Sequence, residues 1–395
     1  MSARLTVVLL ALMLGTQPVS SDLYLPTLPN ITAELGASMA QAHMTLSALL
    51  LAFGISQLFW GPLSDAWGRR PVLLLGVSAY VVTGIGCVFA SSIDILIVWR
   101  TLQGAAMGAI VMCARAIVRD LYTPDIGARV MSKALTGLGV IACLSAPLGA
   151  WLVQILSWQA ALAAVVVFGA VTLIAIAWSY QESAPTISHA IPSFKRLAHT
   201  WFTILRNPTF FAFTCLSMSS FGGLFVFLVT SSFVFIGVLG LGKLEYGLLM
   251  SSMSFVYVLG TFLCRRLLVR FGVARAVAIG GFLSLTGGLL LNLSAWMGWH
   301  SVIALVGPFY IFILGHGIHQ PCGQSGAVGP FPQSAGAASA LSGFMMMAVA
   351  FLMGIWLGHQ SEGAIHGMAY GIGFWSLTTS LTAWTLVQRI GLARA

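Results

Sequence analysis

The sequence predicts an all-α integral membrane protein of twelve transmembrane helices in two pseudo-symmetric six-helix bundles, and three observations carry that expectation. Hydrophobic residues make up 58% of the chain and charged residues 7%, against roughly 45–50% and 25% in soluble domains. Apolar runs of about 20 residues, the length a helix needs to cross some 30 Å of hydrocarbon, recur almost from end to end. A hydrophilic interval over 182–207 divides the chain nearly in half, with six runs on either side.

The runs fall at 5–25, 42–61, 71–90, 95–113, 134–155 and 159–179, then at 209–235, 244–263, 276–296, 301–320, 337–358 and 367–387. Residues 1–181 and 208–395 are thus the expected bundles, joined by a cytoplasmic linker. The 43 glycines suit close helix packing where lipid offers no hydrophobic drive. The alternation of a membrane β-barrel is absent from the pattern. The first run imitates a secretory signal, with Arg4, an apolar core and small residues at Ser20 and Ser21. It is expected to persist as the first span, because no polar domain follows it.

Counting Lys and Arg by alternate loops puts sixteen of the eighteen on one side, leaving Lys243 outside and Arg100 within the membrane. By the positive-inside rule both termini are cytoplasmic. The net charge of +9 therefore reads as topology. Nucleic-acid binding would need that charge clustered on a soluble domain, and there is none. Six cysteines, at 87, 113, 143, 215, 264 and 322, lie in or beside apolar runs without metal-binding spacing and read as packing residues.

Two halves of six runs raise the question of an internal repeat. Sliding Gly68 onto Gly272, an offset of 204, places Trp67 over Phe271 and Gly76 over Gly280. The first of these turns is the string GPLSDAWGRRP, Gly61 to Pro71, where costly residues concentrate. Gly61 and Gly68 allow a tight turn, Asp65 sets a carboxylate at a helix end, and Arg69 with Arg70 anchors the cytoplasmic interface. The second-half counterpart, RRLLVRFGVAR (Arg265 to Arg275), is again basic.

GPLSDAWGRRP resembles the signature loop of the major facilitator superfamily, and RTLQGAAMGA (Arg100 to Ala109) resembles the fourth-helix motif of its drug:proton antiporters. SDLYLPTLP at 21–29, RAIVRDLY at 115–122 and PFPQSAGAASAL at 330–341 are similar to the Bcr/CflA-type multidrug:proton antiporter branch. Two positions depart from the pattern. Ala66 stands where the loop usually has a basic residue, and Ala146-Pro147-Leu148-Gly149-Ala150 replaces the expected glycine-proline and glycine pair of the fifth helix.

The resemblance implies a major facilitator fold and a secondary active transporter. It would export lipophilic drug-like small molecules in exchange for protons by alternating access, in the bacterial inner membrane. Proton-coupled uptake of a small metabolite on the same fold is the alternative, since fold does not fix substrate or direction. No enzyme is expected: no nucleophile with its base and no set of metal ligands converges, and no P-loop occurs. The implied partners are a small molecule, protons and the bilayer, with no nucleic acid and no cofactor beyond the proton gradient. The protein is expected to act as a monomer.

Candidate residues follow from cost. Of nine carboxylates, only Asp22 lies inside or close to an apolar run without sitting at a loop or helix end. Asp22 and Arg100 fall at a similar depth in the first and fourth spans, so an ion pair alternating with a protonated Asp22 is the expected coupling device. The other reading makes Asp22 a polar turn residue before Pro26 and Pro29. The substrate cavity, lined by the first, fourth, seventh and tenth spans, is expected to draw on Tyr24, Gln103, Met107, Ser220, Phe221, Phe225, His316 and Gln320. Gln103 could orient Arg100, bind substrate or glue helices. His316 and His319, one turn apart, suit interhelical hydrogen bonding or the cavity floor, with proton coupling as the alternative, and lack the further ligands of a zinc site. Gly61, Asp65, Gly68, Arg69 and Arg70 are the expected conformational latch, with Asp65 accepting hydrogen bonds from a helix amino terminus near Ser334 to Gly336.

Overall fold

The structure is a computed structural model that describes residues 3–122, 124–184, 193–331, 334–358 and 363–391. The described elements are helical throughout. In chain order they are α1 (Ala3–Ser21), α2 (Leu28–Glu34), α3 (Met39–Trp67), α4 (Arg69–Val88), α5 (Ile93–Leu121), α6 (Pro124–Ile155) and α7 (Trp158–Ser179). There follow α8 (Phe194–Leu205), α9 (Pro208–Ser232), α10 (Lys243–Trp296), α11 (Val302–Val328), α12 (Ala335–Gly358) and α13 (Ala364–Trp384).

Ten of the helical segments are long and apolar enough to cross a membrane. One of them, α10, runs for 54 residues and is broken at Gly272, so it supplies two spans. The less apolar α13, with 21 residues, is the twelfth. Trp178 and Trp296, near the ends of α7 and α10, are among the most exposed side chains, as expected of the aromatic belt at a membrane surface.

Several boundaries differ from those the hydropathy suggests. The second span continues through Gly61 and Pro62 to Trp67, and α4 begins at Arg69. GPLSDAWG is therefore mostly the last two turns of a helix, and the turn shrinks to Gly68 alone, at φ 94° and ψ 158°. Gly272 does the same in α10, at φ 75° and ψ 177°. Positive φ is a conformation only glycine adopts without strain, so both helices end and restart on one residue. Polar side chains hid the helical continuation because a helix may run past the hydrocarbon into water. The linker interval also contains structure: α8 is amphipathic, with Phe202 stacked under Arg206 at 4.0 Å, the composition of a helix lying in an interface.

The chain forms two compact units, one of residues 1–194 with 243–251 and the other of 195–242 with 252–395. In the first, α3 packs chiefly on α5, α4 on α5 and α7, and α1 on α6. In the second, α9 is central and packs on α11, α12 and α13. All six cysteines are free.

Candidate functional site

The chemistry of the first unit begins where α1 stops. Pro26 and Pro29 cannot continue a helical ladder, so the chain leaves α1 at Ser21 and passes through the short turn Leu25–Thr27 into α2. The Ser20 carbonyl sits at that helix end, and away from water it must find another donor. Arg100 supplies one: its Nη2 donates to the Ser20 carbonyl at 2.7 Å. Its Nη1 donates to Gln103 Oε1 at 2.9 Å, and its Cζ lies 4.2 Å from the centroid of the Tyr24 ring.

Arg100, Gln103, Tyr24 and Met107 are all fully buried. The Tyr24 hydroxyl donates to Thr45 Oγ1 at 2.7 Å, and Ser20 Oγ shares a 2.6 Å hydrogen bond with the Tyr80 hydroxyl. A buried cation is thus held without a carboxylate. It sits at the negative end of a helix dipole, against a ring face and an amide oxygen. Two donors of this cluster, Arg100 Nε and Gln103 Nε2, have no hydrogen-bond partner.

The expected ion pair between Asp22 and Arg100 is not formed in this conformation. Half-buried Asp22 accepts the Ser21 hydroxyl at 2.7 Å instead. The reason lies in the backbone: the end of α1 offers carbonyls that compete for the guanidinium, and stacking on Tyr24 fixes its plane. Asp22 remains two residues from both Ser20 and Tyr24 along the chain.

The turn between α3 and α4 carries a second polar cluster. Buried Arg69 pairs with Asp65 at 2.5 Å and donates through Nε to Asp120 Oδ2 at 2.8 Å and through Nη1 to Ser64 Oγ at 2.7 Å. Asp120 is buried with it, whereas the Asp65 side chain is 56% exposed and lies 3.9 Å from Arg119. Glu182 accepts the backbone amides of Arg69 and Arg70, each at 2.9 Å, and those of Ser183 and Ala184. Partial burial raises the Glu182 carboxyl, but the amides of Ala184, Arg70, Arg69 and Ser183 outweigh it and hold the group below its usual value. Arg70 Nη2 donates to the Ala177 carbonyl at 3.2 Å. Gly61 is buried, and a side chain there would meet Met112.

In the second unit Ser220 Oγ shares a 2.8 Å hydrogen bond with His316 Nδ1, joining α9 to α11. Gln320 Nε2 donates to the Ser217 carbonyl at 2.9 Å, and Gln324 Nε2 donates to Gln320 Oε1 at 3.1 Å. His319 Nε2 lies 3.3 Å from the Val277 carbonyl. Phe221 and Phe225 stack at 6.5 Å, and Tyr257 lies beside the His316 ring at 5.6 Å. Among the described residues no group of three or more His, Cys, Asp or Glu could hold a metal ion.

Within each unit the structure thus gathers most of the candidates the sequence proposes: Tyr24 with Arg100 and Gln103, and Ser220 with His316. It adds partners that sequence reasoning missed. The Ser20 carbonyl was signalled only by the two prolines downstream of it. Glu182 lies 113 residues from Arg69, and no local pattern connects them. Asp120 and Tyr257 were likewise invisible as partners.

Comparison with known proteins agrees with this architecture. The chain is 28% identical over 335 residues to multidrug resistance protein D of Escherichia coli strain K12, covering 85% of this chain and 84% of that protein. It is 25% identical over 379 residues to a bicyclomycin resistance protein homolog of Haemophilus influenzae, covering 94% and 93%. A chloramphenicol resistance protein of Pseudomonas aeruginosa is 27% identical over 325 residues, covering 81% and 75%. Among solved structures, a POT family transporter superimposes with a TM-score of 0.79 over 97% of this chain and 96% of that one, at 14% identity. A D-xylose-proton symporter does so with a TM-score of 0.75 over 96% and 97%, also at 14%. At such identities the likeness is one of fold. The Major Facilitator Superfamily profile matches residues 10–355. Twelve spans, the GPLSDAWGRRP turn and that match together mean that the chain belongs to the Major Facilitator Superfamily, as a multi-pass membrane transporter and not an enzyme.

Proposed function

We propose that the protein exports neutral or weakly cationic lipophilic drug-like molecules across the bacterial inner membrane in exchange for protons. The resistance proteins to which it is similar support the substrate class. The observation that carries the reading is the buried Arg100 at the broken end of α1, bonded to the carbonyl of Ser20, which precedes Asp22 by two residues in the chain. An intramembrane charge of this kind is retained only at a cost and marks a pathway for ions or substrate. In the cycle we infer, Asp22 takes up the proton, and substrate entering beside Tyr24 and Gln103 releases it. The proton gradient alone drives the cycle, the monomer is the working unit, both termini are cytoplasmic, and the exposed face of Asp65 serves the latch between conformations.

The test is proton release or uptake by the detergent-solubilised protein when a drug panel is added, with wild type compared to Asp22→Asn. Release by the wild type that disappears in the variant supports antiport through Asp22. Uptake with drug overturns exchange in favour of symport, and release that persists in Asp22→Asn removes Asp22 from the mechanism.

A further inference from the structure

The polar residues between α9 and α11 differ in how many of their hydrogen-bonding groups are already used. Gln320 donates to the Ser217 carbonyl and accepts from Gln324. His319 is directed at the Val277 carbonyl and packs against Gly280, where no side chain would fit. His316 is held through one nitrogen only, Nδ1 on Ser220.

Ser220 decides which nitrogen of that ring carries the proton. Its side chain is fully buried, and a buried hydroxyl needs an acceptor. Two hydroxyls further along α9 find one in their own helix, Thr230 on the Val226 carbonyl at 2.7 Å and Ser231 on the Leu228 carbonyl at 3.1 Å, whereas the Ser217 and Ser232 hydroxyls have no hydrogen-bond partner. Ser220 makes no such bond, and its partner is His316 Nδ1. If Nδ1 were the donor, the Ser220 O–H would be left without an acceptor. The arrangement that satisfies both groups has Ser220 donating and Nδ1 accepting, which puts the ring proton on Nε2.

We infer that His316 Nε2–H is the substrate's hydrogen-bond donor in the second unit, set in that tautomer by Ser220 and offered to a carbonyl or amide oxygen of an uncharged lipophilic molecule. Neither α9 nor α11 contains an Asp, Glu, Lys or Arg, so nothing on these two helices favours a charged ligand. The Tyr257 ring beside His316 supplies an apolar face next to the donor. The inference rests on the reading of the protein as an exporter of lipophilic solutes and adds the feature such solutes must carry. Ser220 is a positioning residue here, acting through the imidazole.

Two measurements on the intact purified protein test it. Nitrogen NMR of 15N-histidine-labelled protein should show, among the imidazole signals, one assignable to His316 with unprotonated Nδ1 and protonated Nε2. That signal should be absent from His316→Gln and change its tautomer population in Ser220→Ala. Binding should then be measured for chloramphenicol, which carries an amide oxygen, and for tetraphenylphosphonium, which carries no acceptor. Chloramphenicol binding should weaken about three- to tenfold in His316→Phe and Ser220→Ala, recover in part in His316→Gln, and leave tetraphenylphosphonium binding within about twofold. Equal weakening of both probes, or a protonated His316 Nδ1 in the wild type, overturns the inference. A wild type that binds tetraphenylphosphonium but not chloramphenicol also overturns it and leaves the exporter reading standing, whereas binding of neither, with no proton release across the drug panel, overturns both.

Discussion

Arg100 and Phe309 occupy the same place in their own helices. Each is the eighth residue after an N-cap serine, Ser92 for α5 and Ser301 for α11. Each is fully buried, and each lies on an aromatic ring from the first span of its half. In one unit the pair is guanidinium on Tyr24, with Cζ 4.2 Å from the ring centroid. In the other it is Phe309 stacked on Phe227, with centroids 3.7 Å apart. The ring is present twice, and the cation once.

The polar group of the second unit has moved along its helix. His316 stands seven residues beyond Phe309, about 10 Å further at 1.5 Å per residue. A charge that must be neutralised sits close to a helix terminus, where backbone carbonyls are free to receive it. The His316 imidazole sits in mid-helix and is met by a side chain, Ser220. One scaffold thus holds two kinds of polar chemistry, and local backbone availability decides which kind fits where.

The comparison can be broken in several ways. The largest effect is expected at the α3–α4 turn, whose partner turn at Gly272 has no buried ion pair among the described residues. Arg69→Met leaves buried Asp120 with only the longer contact to exposed Arg119 at 3.8 Å and should destabilise the protein by up to about 3 kcal/mol, seen as a fall in thermal unfolding temperature in detergent. Adding Asp120→Asn should recover a large part of that loss. Next comes the pair that opens the comparison. Arg100→Met should lower drug-driven proton exchange at least about a hundredfold, some 2.7 kcal/mol, while Phe309→Met keeps exchange within a few-fold. Equal losses in the two variants would mean that the cation has no special part.

A finer contrast lies in the close approaches between helices. A methyl at Gly104 would strike the Leu49 backbone carbonyl, which is fixed, whereas one at Gly323 would strike the Ser217 hydroxyl, which can rotate away. Gly104→Ala should therefore cost about 1–3 kcal/mol by overpacking and Gly323→Ala distinctly less, read from the same unfolding curves. The smallest effect concerns Glu182. Its carboxyl is held below the ordinary value, so its stabilisation is present above the usual carboxylate range and fades as pH falls through the depressed value. Glu182→Gln should cost about 1 kcal/mol at neutral pH, as for loss of a helix cap, and should converge with the wild type in acid.

The spans were legible because a membrane helix writes its length in apolar letters, and even α13, with Thr and Ser among its residues, shows the pattern. The two one-residue turns were not, because Asp65 or Arg270 in a helix reads as the end of hydrocarbon whether or not the helix itself ends. That Arg100 would be buried and need partners was legible from its cost in an apolar run. Its partner was not. Charge complementarity points to Asp22, while the acceptor found is the Ser20 carbonyl, a group every residue carries and no letter distinguishes. Gln103 and Tyr24 were accessible through spacing and proximity along the chain. Glu182 meets Arg69 only through the packing of α7 on α4.

The turns at Gly68 and Gly272 share a sign of torsion and little side-chain chemistry. Handedness is what they test: an L-alanine at either position would be strained, whereas a D-alanine introduced by semisynthesis is expected to fit. The signal for reversing the chain after the second span of each half is thus stereochemical. It is carried by the one natural residue that has no handedness of its own.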